Sequence, residues 1–147
     1  MEFVSLISDD ALPENSALVA AIDVGSNAMR LGIAMQDTSG TPTLVQRYRE
    51  PVRLGHDAFT SGTFSPQTME DALEAFRQFR RILDQHQIEK YRATATSAMR
   101  DSKNGRELAK RIFDETNIDL QLISGEEEAR LVHYSISRRV DMEDKFT

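Results

Sequence analysis

The sequence predicts an α/β domain on a mixed sheet of five strands: an N-terminal three-stranded meander, then two strand–helix passages with flanking helices. Three observations carry that prediction. Apolar runs of strand length occupy residues 18–22 and 29–35, a third strand candidate follows at 43–49, and the connections between them are short enough for antiparallel neighbours. Two stretches, 68–85 and 104–116, repeat apolar residues at steps of three and four, the period of a helix with one buried face. Strand-length runs at 88–96 and 118–123 alternate with those helices, which is the order of an α/β sheet.

Taken in order, residues 1–17 mix Asp, Ser, Pro, Glu and Asn without a period and read as a flexible extension ahead of the folded unit. Residues 23–27 connect the first two strands as a hairpin turn, and the break at 37–42, Asp-Thr-Ser-Gly-Thr-Pro, separates the second from the third. Residues 50–66 hold Pro51, Gly55, Gly62 and Pro66 and read as a loop, with Arg53, Leu54 and Gly55 as a candidate functional element. Ser65 and Pro66 then supply an N-cap and a first-turn proline for the helix whose Met69, Leu73, Phe76, Phe79 and Leu83 form a core stripe. The second helix is read through Leu108, Ile112 and Phe113. A last helix starts at Ser124, which has capping-box spacing to Glu127, and runs to about 137; the acidic run 126–128 suits the positive end of its dipole. The folded domain therefore spans 18–137, and 138–147 reads as a truncated linker towards a second domain.

With 147 residues, the chain is long enough for one domain with a core. A formal net charge of −6 argues against a general nucleic-acid binder, although a local arginine cluster can still meet a polyanion. The absence of cysteine excludes disulfides, thiol catalysis and thiolate metal sites. His56, His86 and His133 stand far apart, without metal-ligand spacing. Asp9, Asp10 and Glu14 fall where a signal peptide needs an apolar core, and no apolar run reaches membrane-spanning length, so a cytoplasmic protein is the default expectation.

Three polar segments stand at the ends of regular elements: 23–30, 95–104 and 124–130. Ligands gather at strand carboxyl ends in open α/β sheets, so the three are expected to meet in one cleft. In the first, Gly25 permits unusual backbone angles and close approach, Ser26 and Asn27 add donors, Asp23 is placed to hold a hydrated divalent cation, and Arg30 offers a fork for phosphate oxygens. The same residues also suit an ordinary hairpin turn. In the second, Arg100 stands beside the helix start marked by Asn104, as an anion contact or as a surface arginine next to an N-cap. In the third, a core stripe of Ala129, Val132 and Ile136 puts Glu128 at its margin and Glu127 away from it, so Glu128 is the candidate general base; the alternative is an acidic cluster that only caps the helix.

Together, AAIDVGSNAMRL, VRLG, ATSAMRDSKN and ISGEEEAR, in this order between residues 20 and 130, resemble the N-terminal domain of the exopolyphosphatase and guanosine pentaphosphate phosphatase (Ppx/GppA) family. The resemblance implies the ribonuclease-H-like fold of actin and the sugar kinases, in which two such domains clasp a phosphorylated ligand. It implies that Asp23, Gly25, Ser26 and Asn27 form the first phosphate loop, that Arg30 and Arg100 contact phosphate, and that Glu128, with Glu127 as the alternative, orients the attacking water. It further implies magnesium, held in part by Asp23, and polyphosphate or guanosine pentaphosphate as substrate, with a homodimer open for the full-length protein. Two departures stand out: Ala28 replaces the family's common serine, and the second phosphate loop, an apolar strand leading into Asp-x-Gly-Gly-Gly-Ser, is absent. The 147 residues are then expected to be a fragment that is inactive alone. A module that senses polyphosphate or a guanosine alarmone without hydrolysing it, and a kinase or ATPase of the same superfold, are the other readings.

Overall fold

Alternation of buried and exposed residues in the first long strands decides which face of the sheet is covered. In a computed structural model, residues 1–6, 17–36, 42–127 and 129–130 are described. They form β1 (Glu2–Ser5), β2 (Ala17–Val24), β3 (Met29–Gln36), β4 (Pro42–Glu50), α1 (Leu54–Thr60), α2 (Pro66–Gln85), β5 (Lys90–Ala95), α3 (Ser97–Asp101), α4 (Gly105–Thr116) and β6 (Leu120–Leu122). The strands make one sheet in the order β1-β4-β3-β2-β5-β6. β1, β4, β3 and β2 pair antiparallel, and β5 and β6 continue parallel to β2.

Ala20, Ile22 and Val24 of β2 and Met29, Leu31 and Ile33 of β3 point to one face, where they join the buried stripes of α2 and α4 in a single core. α2 supplies Leu73, Phe76, Phe79 and Leu83 to that core, with Phe76 and Phe79 edge to face at 5.6 Å. The predicted start of α2 holds: the Ser65 hydroxyl accepts from the Thr68 amide at 3.1 Å, and Pro66 occupies the first turn. The opposite face carries Ala21, Asp23, Arg30 and Arg47, all exposed. Among the described residues, no helix is long and apolar enough to cross a membrane.

Three elements differ from the sequence expectation. The sheet has six strands rather than five, because Glu2–Ser5, inside the stretch read as an extension, pairs antiparallel with β4. Phe3 packs on Tyr48 with ring centroids 4.8 Å apart, and the Leu6 amide donates to the Val45 carbonyl at 2.9 Å. A four-residue edge strand is too short for its periodicity to stand out. The stretch 50–66 is not all loop: α1 lies within it, with Leu54 and Gly55 buried. The second polar segment, 95–104, likewise holds the five-residue helix α3. Both are short, seven and five residues, and are fixed by what they pack on rather than by an amphipathic repeat. The break at 37–42 falls largely outside the described residues, as do positions 131–147, which include most of the expected last helix and the linker.

Candidate functional site

β2 ends at the first candidate segment. Its Asp23 lies directly across from Arg30 on β3 and from Thr94 on β5. Gly25 to Ala28 close the hairpin, with the Gly25 amide donating to the Ala28 carbonyl at 3.0 Å. Gly25 does not adopt a positive φ, so unusual backbone angles are not its role. A Cβ there would stand 3.3 Å from the Ala28 carbonyl oxygen, so it is the tightness of the turn that favours glycine. Ala28 is only 1% exposed, which turns the position of the replaced serine inward. Asn27 is exposed and Ser26 half-buried.

Solvent reaches the Asp23 side chain, yet crowding strips enough hydration from its carboxyl to push it above its ordinary value; Arg30 opposes the shift. A carboxylate held this way gains from a cation, and magnesium takes few protein carboxylates, completing its shell with water and phosphate oxygens. Among the described residues, no group of three His, Asp or Glu side chains could hold a metal by themselves. Among the described residues Asp23 is therefore a single candidate cation ligand at the turn and not a complete metal site.

The three candidate segments meet at the carboxyl end of the parallel strands. The Thr96 amide donates to the Val24 carbonyl at 3.3 Å, and the Ile123 amide to the Ala95 carbonyl at 3.0 Å, so the strand ends are bonded in sequence. Arg100, on α3, donates through Nη1 to the Ile123 carbonyl at 2.9 Å and through Nε to Asp101 at 3.2 Å. It is thus anchored to the residue before Ser124, with Nη2 outside both bonds. The Ser124 hydroxyl accepts from the Glu127 amide at 3.2 Å, which is half of the expected capping box, and residues 125–127 are helical. Glu128 lies outside the described residues. Ala129, expected on the core stripe, is instead exposed, because it follows edge strand β6 and no described element covers it.

Two positioning devices were not legible beforehand. The Gly55 amide donates to the Ser26 carbonyl at 2.8 Å, and a Cβ on Gly55 would fall 2.8 Å from that of Ser26, so glycine lets α1 lie against the phosphate-loop candidate. Asn104 does not cap α4 with its side chain. It accepts from the Phe64 amide at 2.8 Å and donates to the Phe64 carbonyl at 2.9 Å, clamping the chain before α2 to the chain before α4. Arg47 and Arg49 were also missed; with Arg30, Glu2 and Val4 they line a cleft of about 270 Å³. Their alternation along β4 was the available signal. A larger depression, of about 770 Å³, lies at the other end of β5. Its Arg80 already pairs with Asp84 and stands over Tyr91, an arrangement that serves packing.

Residues 33–146 match the Ppx/GppA phosphatase family. The chain belongs to that family. It is 36% identical over 122 residues to a bifunctional 3-dehydroquinate synthase/phosphatase of Fusobacterium nucleatum, covering 79% of this chain and 18% of that protein. It is 28% identical over 120 residues to exopolyphosphatase 1 of Mycobacterium tuberculosis, covering 82% of this chain and 35% of that one. The crystal structure of the Aquifex aeolicus family member superposes with a TM-score of 0.73 at 27% identity, over 77% of this chain and 37% of that one. An exopolyphosphatase from Cytophaga hutchinsonii gives 0.73 at 35% identity, over 78% and 36%. The chain therefore spans about a third or less of the length of these Ppx/GppA relatives. Its fold is the ribonuclease-H-like, actin-like α/β domain, with the six-stranded mixed sheet described above.

Proposed function

We propose that this chain is the first of two phosphate-clasping domains of a phosphohydrolase that removes the terminal phosphate from a phosphoanhydride, either inorganic polyphosphate or guanosine pentaphosphate. The observation that carries this reading is the meeting of the Asp23-to-Arg30 turn, Arg100 and the start of the last helix at one end of the sheet. Ser26, Asn27 and the turn amides hold the terminal phosphoryl oxygens, and Gly25 keeps that turn tight. Arg30 and Arg100 offset the charge that builds on those oxygens. Glu128 accepts a proton from water as the water oxygen bonds to phosphorus; the anhydride P–O bond breaks, and orthophosphate leaves beside a chain one phosphate shorter. Asp23 is the residue that would hold magnesium, which when bound supplies positive charge at the phosphoryl oxygens. A domain that takes in β1 as well as residues 18–137, in a cytoplasmic protein, accords with this reading.

The test is made on the longer native polypeptide that carries these residues. Glu128→Gln is expected to abolish magnesium-dependent phosphate release from polyphosphate while leaving polyphosphate binding intact, and Glu127→Gln to retain turnover. The reverse pattern moves the base to Glu127. Binding by the native protein with no release of phosphate would make the domain a sensor instead.

A further inference from the structure

The sheet face that carries the exposed Asp23, Arg30 and Arg47 has its own charge pattern. One row of directly opposed residues crosses all six strands: Glu2, Arg49, Arg30, Asp23, Thr94 and Gln121. In the next row on the same face, Arg47 stands opposite Gly32, and Gly32 opposite Ala21. Arg30 and Arg49 thus face each other on neighbouring strands about 4.8 Å apart, with Arg47 one pleat away, a like-charge arrangement that destabilises a sheet unless an anion offsets it. Among the described residues, two carboxylates on this face supply counter-charge: Asp23, directly opposite Arg30, and Glu2. Glu2 is 3.6 Å from Arg49 and 68% exposed, and among the described residues neither Arg30 nor Arg47 forms an ion pair. In a chain with net charge −6, this is a local cluster and not a diffuse basic surface.

We propose that the cleft of about 270 Å³ between Arg30, Arg47 and Arg49 is a second anion subsite, which holds the non-reacting phosphates of a polyphosphate chain. This rests on the phosphohydrolase reading and chooses between its two substrates. Ala21 and Gly32 carry little or no side chain in the row beside Arg47, but Leu44 closes over Gly32, its Cδ1 3.2 Å from where a Cβ would stand, so a phosphate chain leaving the Asp23-to-Arg30 turn is directed along Arg30 and Arg49 towards β4. Guanidinium forks suit successive phosphate oxygens. A guanine base would need an aromatic or broad apolar wall, and among the described residues that line the cleft the one apolar side chain is Val4. Arg30 belongs to both the reacting and the non-reacting subsite, whereas Arg47 and Arg49 serve only the second.

The experiment compares the full native polypeptide with its Arg47→Gln/Arg49→Gln double variant. Long-chain polyphosphate, tripolyphosphate and guanosine pentaphosphate are the substrates. The double variant is expected to raise the KM for long-chain polyphosphate roughly tenfold, leaving kcat and both short substrates unchanged. Its KM should also depend less steeply on salt. Glu2→Gln removes the competing carboxylate and should lower the long-chain KM about twofold. An equal effect on all three substrates, or none on the long chain, overturns the proposal. So does a lowered Tm with an unchanged long-chain KM, which would mean that the arginines serve this chain's own acidic residues. If the native protein releases no phosphate, the phosphohydrolase reading fails by itself, and equilibrium binding of long-chain polyphosphate still reads the cleft. Tenfold weaker binding by the double variant supports the subsite; equal binding, or no binding by the native protein, overturns it.

Discussion

At Asp23, two effects on one carboxyl oppose each other. Loss of hydration raises its affinity for a proton, the positive charge of Arg30 lowers it, and the first is larger. The folded protein therefore holds this proton more tightly than the unfolded chain does. The associated stabilisation is fully present below the unfolded value near 3.8 and is lost as pH rises through the folded one. At neutral pH the ionised carboxylate is a cost to the fold. Asp23→Asn is expected to unfold at a higher temperature than the native protein at pH 7, with the gap closing near pH 3, while phosphate release is lost. Thermal unfolding at the two pH values checks the sign; a lower Tm at pH 7 would mean that the attraction of Arg30 dominates. The residue types at this turn were readable in sequence, but they suit an ordinary hairpin as well as a phosphate loop, and the companion motifs are what weighed towards the loop. Its strain was not, since desolvation depends on neighbours from β3 and β5.

Among the elements, length separates what was legible from what was not. α2 has a buried residue at every turn, and its Ser65 cap and Pro66 mark its start in the sequence. α1 and α3 have two buried residues each, too few to make a period. Their placement comes from contacts remote in sequence: Gly55 on Ser26, Asn104 on Phe64, and Gly105, where a Cβ would fall within van der Waals overlap of the Met99 backbone. Gly55→Ala tests the first of these. The new methyl would lie 3.1 Å from the Ser26 carbonyl oxygen as well as 2.8 Å from its Cβ, so α1 or the turn must move. The expected cost is about 1–3 kcal/mol in denaturant unfolding, with a raised KM for the phosphorylated substrate. An unchanged KM would detach α1 from the site.

On the scale of the whole molecule, the described residues bring the proposed phosphate-contacting groups to one end of a single sheet. The Mycobacterium relative is more than twice as long, and this chain covers 35% of it. An active site that must surround a phosphoryl group and exclude water needs a second wall. The 147 residues alone are accordingly expected to show no phosphate release, and the longer polypeptide to show it; measurable turnover by the isolated chain would place the whole site within this domain. The sequence by itself determined the α/β class, the long elements and the family, because hydrophobic period and short motifs are local properties of the chain. Only the tertiary structure decided that β1 completes the sheet, that Arg100 is tied to Ile123, and that Arg47 and Arg49 stand beside Arg30. These are matters of strand register and helix docking, which bring together residues whose separation along the chain carries no signal of their proximity.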